Sequence, residues 1–383
     1  MELADIVIYP VKSLRGISVP RVAVEREGLA FDRRWMLVRA DSGRFISQRE
    51  FPRMCLLRTE LSPLNAPAIG TRRASEADRK GALVVHAPPG AAAAAGGLPP
   101  LRVPLGSTAA AGGGPLIRAS VWEFKGSAVD EGDEAAEWFS RALFEAEDDK
   151  PASARPRVRL VRHAPDVEDG RRAADPAFAL PGSTVGFADG FPVLAANEGS
   201  LADLNARIAQ GAAGSPPPPP PLAMARFRPN LVIRGGEATS APWADDGWAR
   251  VRVGAGGGGA DAGGSGMEFD YVKPCGRCKV TTVDPETGET SPDERPLPAL
   301  RALRSGAALG WGSARPSFRH HVFFGWNVQP VIRSSGEDEG AAAGTDGGGG
   351  GGGGGVRAFD GDEPLGVLER GSPVEVVARR EWR

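Results

Sequence analysis

Short runs rich in β-branched residues recur along the chain, each bounded by Gly, Pro or Asp. They fall at residues 6–9, 19–24, 35–38, 251–253, 279–283 and 374–377, and each predicts a strand. Two stretches follow a helical period instead. From Glu134 on, Ala135, Trp138, Phe139, Ala142, Leu143 and Ala146 recur at the i, i+3, i+4, i+7 spacing that places them on one helix face. Ser200-Leu201-Ala202-Asp203 reads as a serine cap with an acidic third residue, followed by Leu204 and Ile208 on one stripe. Many short strands with few helices predict a mainly β (α+β) fold, a β-barrel core with appended helices.

Between these elements the pattern breaks into low-complexity blocks at residues 88–100, 109–114, 211–221, 254–266 and 336–355, which hold much of the 53 Gly and 34 Pro. Glycine runs bury too little side chain to offset their ordering entropy, and a proline run favours extended polyproline II. These blocks are expected to be disordered surface insertions. None is framed by a strand and a helix with Lys-Ser/Thr following, so phosphate cradling by a glycine loop is excluded.

At 383 residues, with 41% hydrophobic and 25% charged content, the chain falls in the soluble globular range. The net charge of -2 gives no reason to expect nucleic-acid or anionic-membrane binding, so any basic site must be local. Three cysteines, Cys55, Cys275 and Cys278, argue against a disulfide scaffold. Four scattered histidines make a multi-histidine metal site a poor expectation. With no basic leader and no apolar run of membrane-crossing length, a cytoplasmic protein is expected, or an organellar one whose leader has been removed.

Four segments carry candidate chemistry. Tyr9-Pro10-Val11-Lys12-Ser13 places a cation and a hydroxyl at a strand exit, and Asp32-Arg33-Arg34-Trp35 supplies either a forked phosphate donor or an ion pair closing a turn. In Arg226-Phe227-Arg228-Pro229-Asn230, Pro229 biases Arg228 toward an extended conformation, and Asn230 enters an apolar strand where its amide needs partners. Cys275-Gly276-Arg277-Cys278-Lys279 allows structural zinc, a redox pair, inert buried thiols or one thiolate ligand to a soft metal. Zinc lacks a second ligand pair, and the redox motif lacks its βαβ context. For a thiolate, Arg277 and Lys279 are the expected charge neighbours, but the residues alone do not choose between Cys275 and Cys278. The following Asp284-Pro285-Glu286-Thr287-Gly288 predicts a tight turn with Gly288 left-handed. Phe323-Phe324-Gly325-Trp326-Asn327 reads as core with one polar oddity, Asn327.

Taken in order, Tyr-Pro-Val-Lys-Ser, Asp-Arg-x-Trp, Phe-Arg-Pro-Asn, Cys-x-Arg-Cys followed by Thr-Thr-Val-Asp-Pro-x-Thr-Gly, and Phe-Gly-x-Asn resemble the MOSC proteins. The amidoxime-reducing component group and its bacterial relatives are the nearest in pattern. The resemblance runs from residue 5 to about residue 378, between the low-complexity blocks. It implies a MOSC β-barrel with an N-terminal β-rich MOSC subdomain. The former would occupy residues 131–383 with insertions at about 209–221, 254–266 and 336–355, the latter residues 1–130.

The resemblance also implies a molybdenum–molybdopterin cofactor, with Cys278 rather than Cys275 as its thiolate ligand and catalytic residue. Lys12, Ser13, Arg33, Arg228, Asn230, Arg277 and Asn327 would bind the cofactor, with Asn197 and Ser200 added from a looser local similarity. Four of the nine are cations of the kind that hold phosphate. The implied activity is reduction of N-hydroxylated compounds such as amidoximes and hydroxylamines. Electrons would come from cytochrome b5 and its NADH-dependent reductase, since the chain carries no dinucleotide, haem or flavin motif. Two rivals remain at this stage. One is a non-catalytic carrier of molybdenum cofactor or sulfur; the other is a zinc or interaction protein using Pro216–Pro221 as an SH3/WW ligand.

Overall fold

The computed structural model describes residues 1–62, 81–88, 97–106, 114–144, 156–180, 182–211, 219–235, 241–254, 266–332 and 365–381. Most of the predicted insertions, together with Ala146 and Pro216, Pro217 and Pro218 of the proline run, lie outside these described residues.

The first half of the chain supplies β1 (Glu2–Ile8), β2 (Ile17–Ser18), β3 (Arg21–Glu25), β4 (Gly28–Leu29), β5 (Trp35–Arg39), β6 (Arg58–Ser62), β7 (Ala82–His86), β8 (Leu101–Pro104), β9 (Leu116–Val121), β10 (Phe124–Asp130), helix α1 (Asp133–Phe144) and β11 (Val158–His163). The second half supplies β12 (Val193–Asn197), α2 (Glu198–Gly211), β13 (Leu231–Arg234), β14 (Trp248–Val253), β15 (Met267–Gly276), α3 (Leu297–Arg304), α4 (Trp311–Ala314), β16 (Phe323–Pro330), β17 (Gly366–Glu369) and β18 (Val374–Arg379). The expected mainly β architecture with a few appended helices is what the chain forms.

Strand pairing mixes the two halves. An eight-stranded sheet runs β18-β14-β15-β16-β12-β13-β1-β2, so the first strands of the chain complete a sheet built mostly from its second half. A four-stranded sheet, β5-β11-β10-β9, closes the other side, and β17 returns to pair with β3. One core runs through both, with Trp35, Trp248 and Trp326 among its largest fully buried side chains. Helix α1 buries Ala135, Trp138, Phe139 and Leu143, the face its spacing predicts.

Four local expectations are corrected. The run at 19–24 is not one strand, because Pro20 has no N–H to give a ladder and falls between β2 and β3. Residues 279–283 form no strand: Lys279–Thr282 is a 3-10 turn, in which Thr281 and Thr282 turn their hydroxyls back onto the carbonyls of Cys278 and Lys279. Helix α2 begins before Ser200, and its cap is Asn197, whose Oδ1 accepts the Gly199 N–H at 2.8 Å. Arg228 is left-handed at φ 55 despite preceding Pro229, since its N–H closes a 3-10 turn onto Ala225.

Candidate functional site

Where β1 ends, the chain turns through Pro10, and Lys12 is tied back by its N–H to the Trp35 carbonyl. Its side chain is thereby buried, and Nζ donates to the Phe187 carbonyl at 2.8 Å and to Asp189 Oδ1 at 2.5 Å. Burial pushes the ammonium below its ordinary range, opposed by Asp189. The charges of Lys12 and then Arg33 hold the Asp189 carboxyl well below the usual range, although its side chain is exposed at the cleft. Ser13 follows at φ 70, its carbonyl accepting from Gln48.

Arg33 is fixed from three directions. Its Nη1 donates to Asp32 at 2.5 Å and to Asn230 Oδ1 at 2.9 Å, and Nη2 donates to the Arg228 carbonyl at 3.2 Å. Asn230 is buried and stitches strands as well: its Oδ1 accepts the Leu194 N–H at 3.1 Å and its Nδ2 donates to the Val7 carbonyl at 3.0 Å. The Asp32–Arg33 pair forms the expected ion pair, and the guanidinium also stands at a cavity wall. Arg228 lies 4.2 Å and Arg33 4.3 Å from the centre of the Tyr9 ring. Burial pushes Arg228 down to about 10, opposed first by the Tyr9 hydroxyl. Its guanidinium has no hydrogen-bond acceptor among the described residues.

The opposite wall is the end of β15. Arg277 Nη2 donates to the Phe227 carbonyl at 2.6 Å and Nη1 to Cys275 Sγ at 2.9 Å, while its buried Nε has no partner. Cys278 is contacted by neither of its sequence neighbours. Lys279 reaches out toward Glu294, and Arg49, from the first half of the chain, donates to Cys278 Sγ through Nε at 3.3 Å and Nη2 at 3.2 Å. Backbone direction explains this: Cys278 is extended and enters the 3-10 turn, so adjacent side chains point apart.

These walls enclose one open cleft holding about 950 Å³ of empty space, its mouth included. Lys12, Ser13, Arg33, Arg228, Asn230, Arg277, Cys278 and Asn327 all line it. Asn197 and Ser200 do not. Asn197 caps α2, and Ser200 Oγ accepts the Trp243 N–H at 2.9 Å in a separate buried cluster with Asp245. Arg49, Trp122, Phe45 and Asp189 line the cleft but were not singled out from the sequence. The run Ser47-Gln48-Arg49 before Pro52 was the available signal for Arg49.

No cluster of three His, Cys, Asp or Glu suited to a metal occurs among the described residues. A metal at Cys278 must therefore bring its other ligands with it, as a dithiolene cofactor does. The cleft fits such a group: two free thiols, Cys275 and Cys278, five cations, an arginine without an acceptor and an orphaned buried guanidinium N–H.

Comparison with known families agrees with the fold. Residues 1–146 match the MOSC N-terminal beta barrel domain and residues 182–340 match the MOSC domain. The chain is a MOSC-domain protein. Among curated relatives, this MOSC protein is 28% identical over 311 residues to mitochondrial amidoxime-reducing component 1 of Danio rerio, covering 79% of the chain and 74% of the relative. It is 26% identical over 306 residues to the human protein of the same name, covering 79% and 72%. It is also 26% identical over 306 residues to the molybdenum cofactor sulfurase of Solanum lycopersicum, covering 79% of the chain but only 31% of that longer protein. No helix among the described residues is long and apolar enough to cross a membrane.

Proposed function

We propose that the cleft holds a molybdenum cofactor through Cys278 and that the protein reduces N-hydroxylated compounds, amidoximes and hydroxylamines among them. The observation that carries this reading is the convergence of two free thiols, Cys275 and Cys278, with Lys12, Arg33, Arg49, Arg228 and Arg277 on a single cleft. The relatives named as amidoxime-reducing components support the choice of reaction.

When bound, the cofactor supplies two-electron redox chemistry at molybdenum. Cys278 presents Sγ to the metal. Arg228 and Arg277, which have donors to spare, would hold the cofactor's phosphate. Arg33 is kept in place by Asp32 and Asn230, and with Lys12 would add positive charge to the cleft that holds the group. Reduction of an amidoxime consumes two electrons and two protons and releases an amidine and water. Asp189 is the one carboxylate in the described lining and is engaged by Lys12, so protons enter from solvent through the open mouth. Electrons come from a cytochrome b5 and NADH-dependent reductase pair.

The test is molybdenum-loaded protein with benzamidoxime, supplied with either dithionite or cytochrome b5, its reductase and NADH. Benzamidine is the expected product. A protein that carries molybdenum yet makes no benzamidine with either donor contradicts the reductase reading. That outcome favours the second one, a non-catalytic carrier of molybdenum cofactor or sulfur, which the similarity to part of a molybdenum cofactor sulfurase supports.

A further inference from the structure

The hairpin between β9 and β10 turns on two residues, Trp122 and Glu123, flanked by the paired Val121 and Phe124. Trp122 sits there at φ 53. A positive φ at the first central residue of a two-residue hairpin loop is a glycine position. A tryptophan held there stores backbone strain that glycine would relieve. The residue is also 37% exposed. Neither the turn nor the core accounts for that choice of residue.

The surroundings of the ring account for it. Nε1 donates to Asp189 Oδ1 at 3.3 Å, Phe45 meets the ring edge-on at 5.0 Å, and the Arg49 guanidinium lies 4.5 Å from its centre. Arg49 in turn donates to Cys278, so one side chain separates the indole from the thiol. At this corner the Arg49 guanidinium lies against the ring while Asp189 is engaged by Lys12, which disfavours cationic ligands. A neutral molecule with a flat apolar ring fits this corner: its ring packs on the exposed part of the indole, which the buried Phe45 backs, while its polar end faces Arg49 and Cys278.

We propose that Trp122, with Phe45 beside it, is a ring-binding subsite that sets a preference for neutral aryl N-hydroxylated substrates over their alkyl counterparts. The reacting group rests on the reductase reading above; the ring contact does not.

Trp122→Gly separates a structural indole from a ring-binding one, because glycine relaxes the turn. Benzamidoxime and acetamidoxime share a reacting group and differ in the ring. Their binding to the molybdenum-loaded protein without reductant is measured by saturation-transfer NMR titration, and their kcat/KM with reductant. In Trp122→Gly we expect wild-type or higher melting temperature, benzamidoxime Kd and KM raised about five- to tenfold, and acetamidoxime constants unchanged. Trp122→Phe restores most of the benzamidoxime affinity. Wild-type benzamidoxime binding in Trp122→Gly overturns the proposal. So does a variant that melts well below wild type and loses both ligands alike. If the wild type binds benzamidoxime through Trp122 but turns over neither compound, the reductase reading falls and the subsite stands. If Trp122→Gly turns over both with the wild-type preference, the subsite falls and the reductase reading stands.

Discussion

Replacing Asp245 with Asn is expected to stabilise the protein above neutral pH while leaving the cleft untouched. Asp245 is buried beside Asp246 and shares a long 3.5 Å hydrogen bond with Ser200. Burial, and then the charge of Asp246, push its carboxyl from 3.8 up to about 7, against the opposing pull of Arg304. The folded protein thus holds this proton more tightly than the unfolded chain. Stability from it is complete below about pH 4 and is lost as the pH rises through 7. At about 1.4 kcal/mol per pH unit, the full loss is on the order of 4 kcal/mol by pH 8. Asparagine has no charge to bury. The gap in urea-unfolding free energy between variant and wild type should therefore be near zero at pH 4 and widen steadily to pH 8. Equal gaps at both pH values, or a variant less stable at pH 8, would refute the reasoning. Molybdenum content should not change, since the Ser200–Asp245 cluster lies outside the cleft.

Two further substitutions probe the cleft itself. Arg228→Met removes a guanidinium that anchors nothing by hydrogen bond among the described residues. Urea stability should fall by no more than about 1 kcal/mol, the value of its contact with Tyr9, and cofactor affinity in a reconstitution titration should drop about tenfold or more through loss of a charge-assisted phosphate contact; unaltered loading would remove Arg228 from the site. Asn230→Ala strands the Leu194 N–H and the Val7 carbonyl and removes one of the three partners of Arg33. It should cost roughly 3 kcal/mol in unfolding free energy and lower molybdenum content at the same time, and a stable, fully loaded variant would argue against its stitching role.

Much of the cleft was legible in the sequence, because five short motifs in fixed order mark the segments that meet there. Lys12, Arg33, Arg228, Arg277 and Cys278 converge although up to 266 positions separate them, since β1 inserts next to β13 in a sheet built of later strands. What was not legible is which charge meets which thiol. Sequence adjacency pointed to Arg277 and Lys279 for Cys278, yet side chains along extended backbone diverge, and the contact comes from Arg49 across the fold. Composition misled in the same way at Thr281 and Thr282, β-branched residues that form a turn through their own hydroxyls. Ser200 resembled a helix cap because Ser-x-x-acid also occurs inside helices, and Asn197, assigned to the cofactor, is the cap instead. Trp122 carried no motif at all; only its left-handed backbone draws notice to it.

The most direct test of the central claim is molybdenum content, measured by elemental analysis, in wild type, Cys278→Ala and Cys275→Ala purified side by side from cells making the cofactor. The account predicts molybdenum near one per chain in wild type and in Cys275→Ala, and its loss in Cys278→Ala with the fold retained. Full molybdenum in Cys278→Ala, or its loss in Cys275→Ala alone, would contradict it.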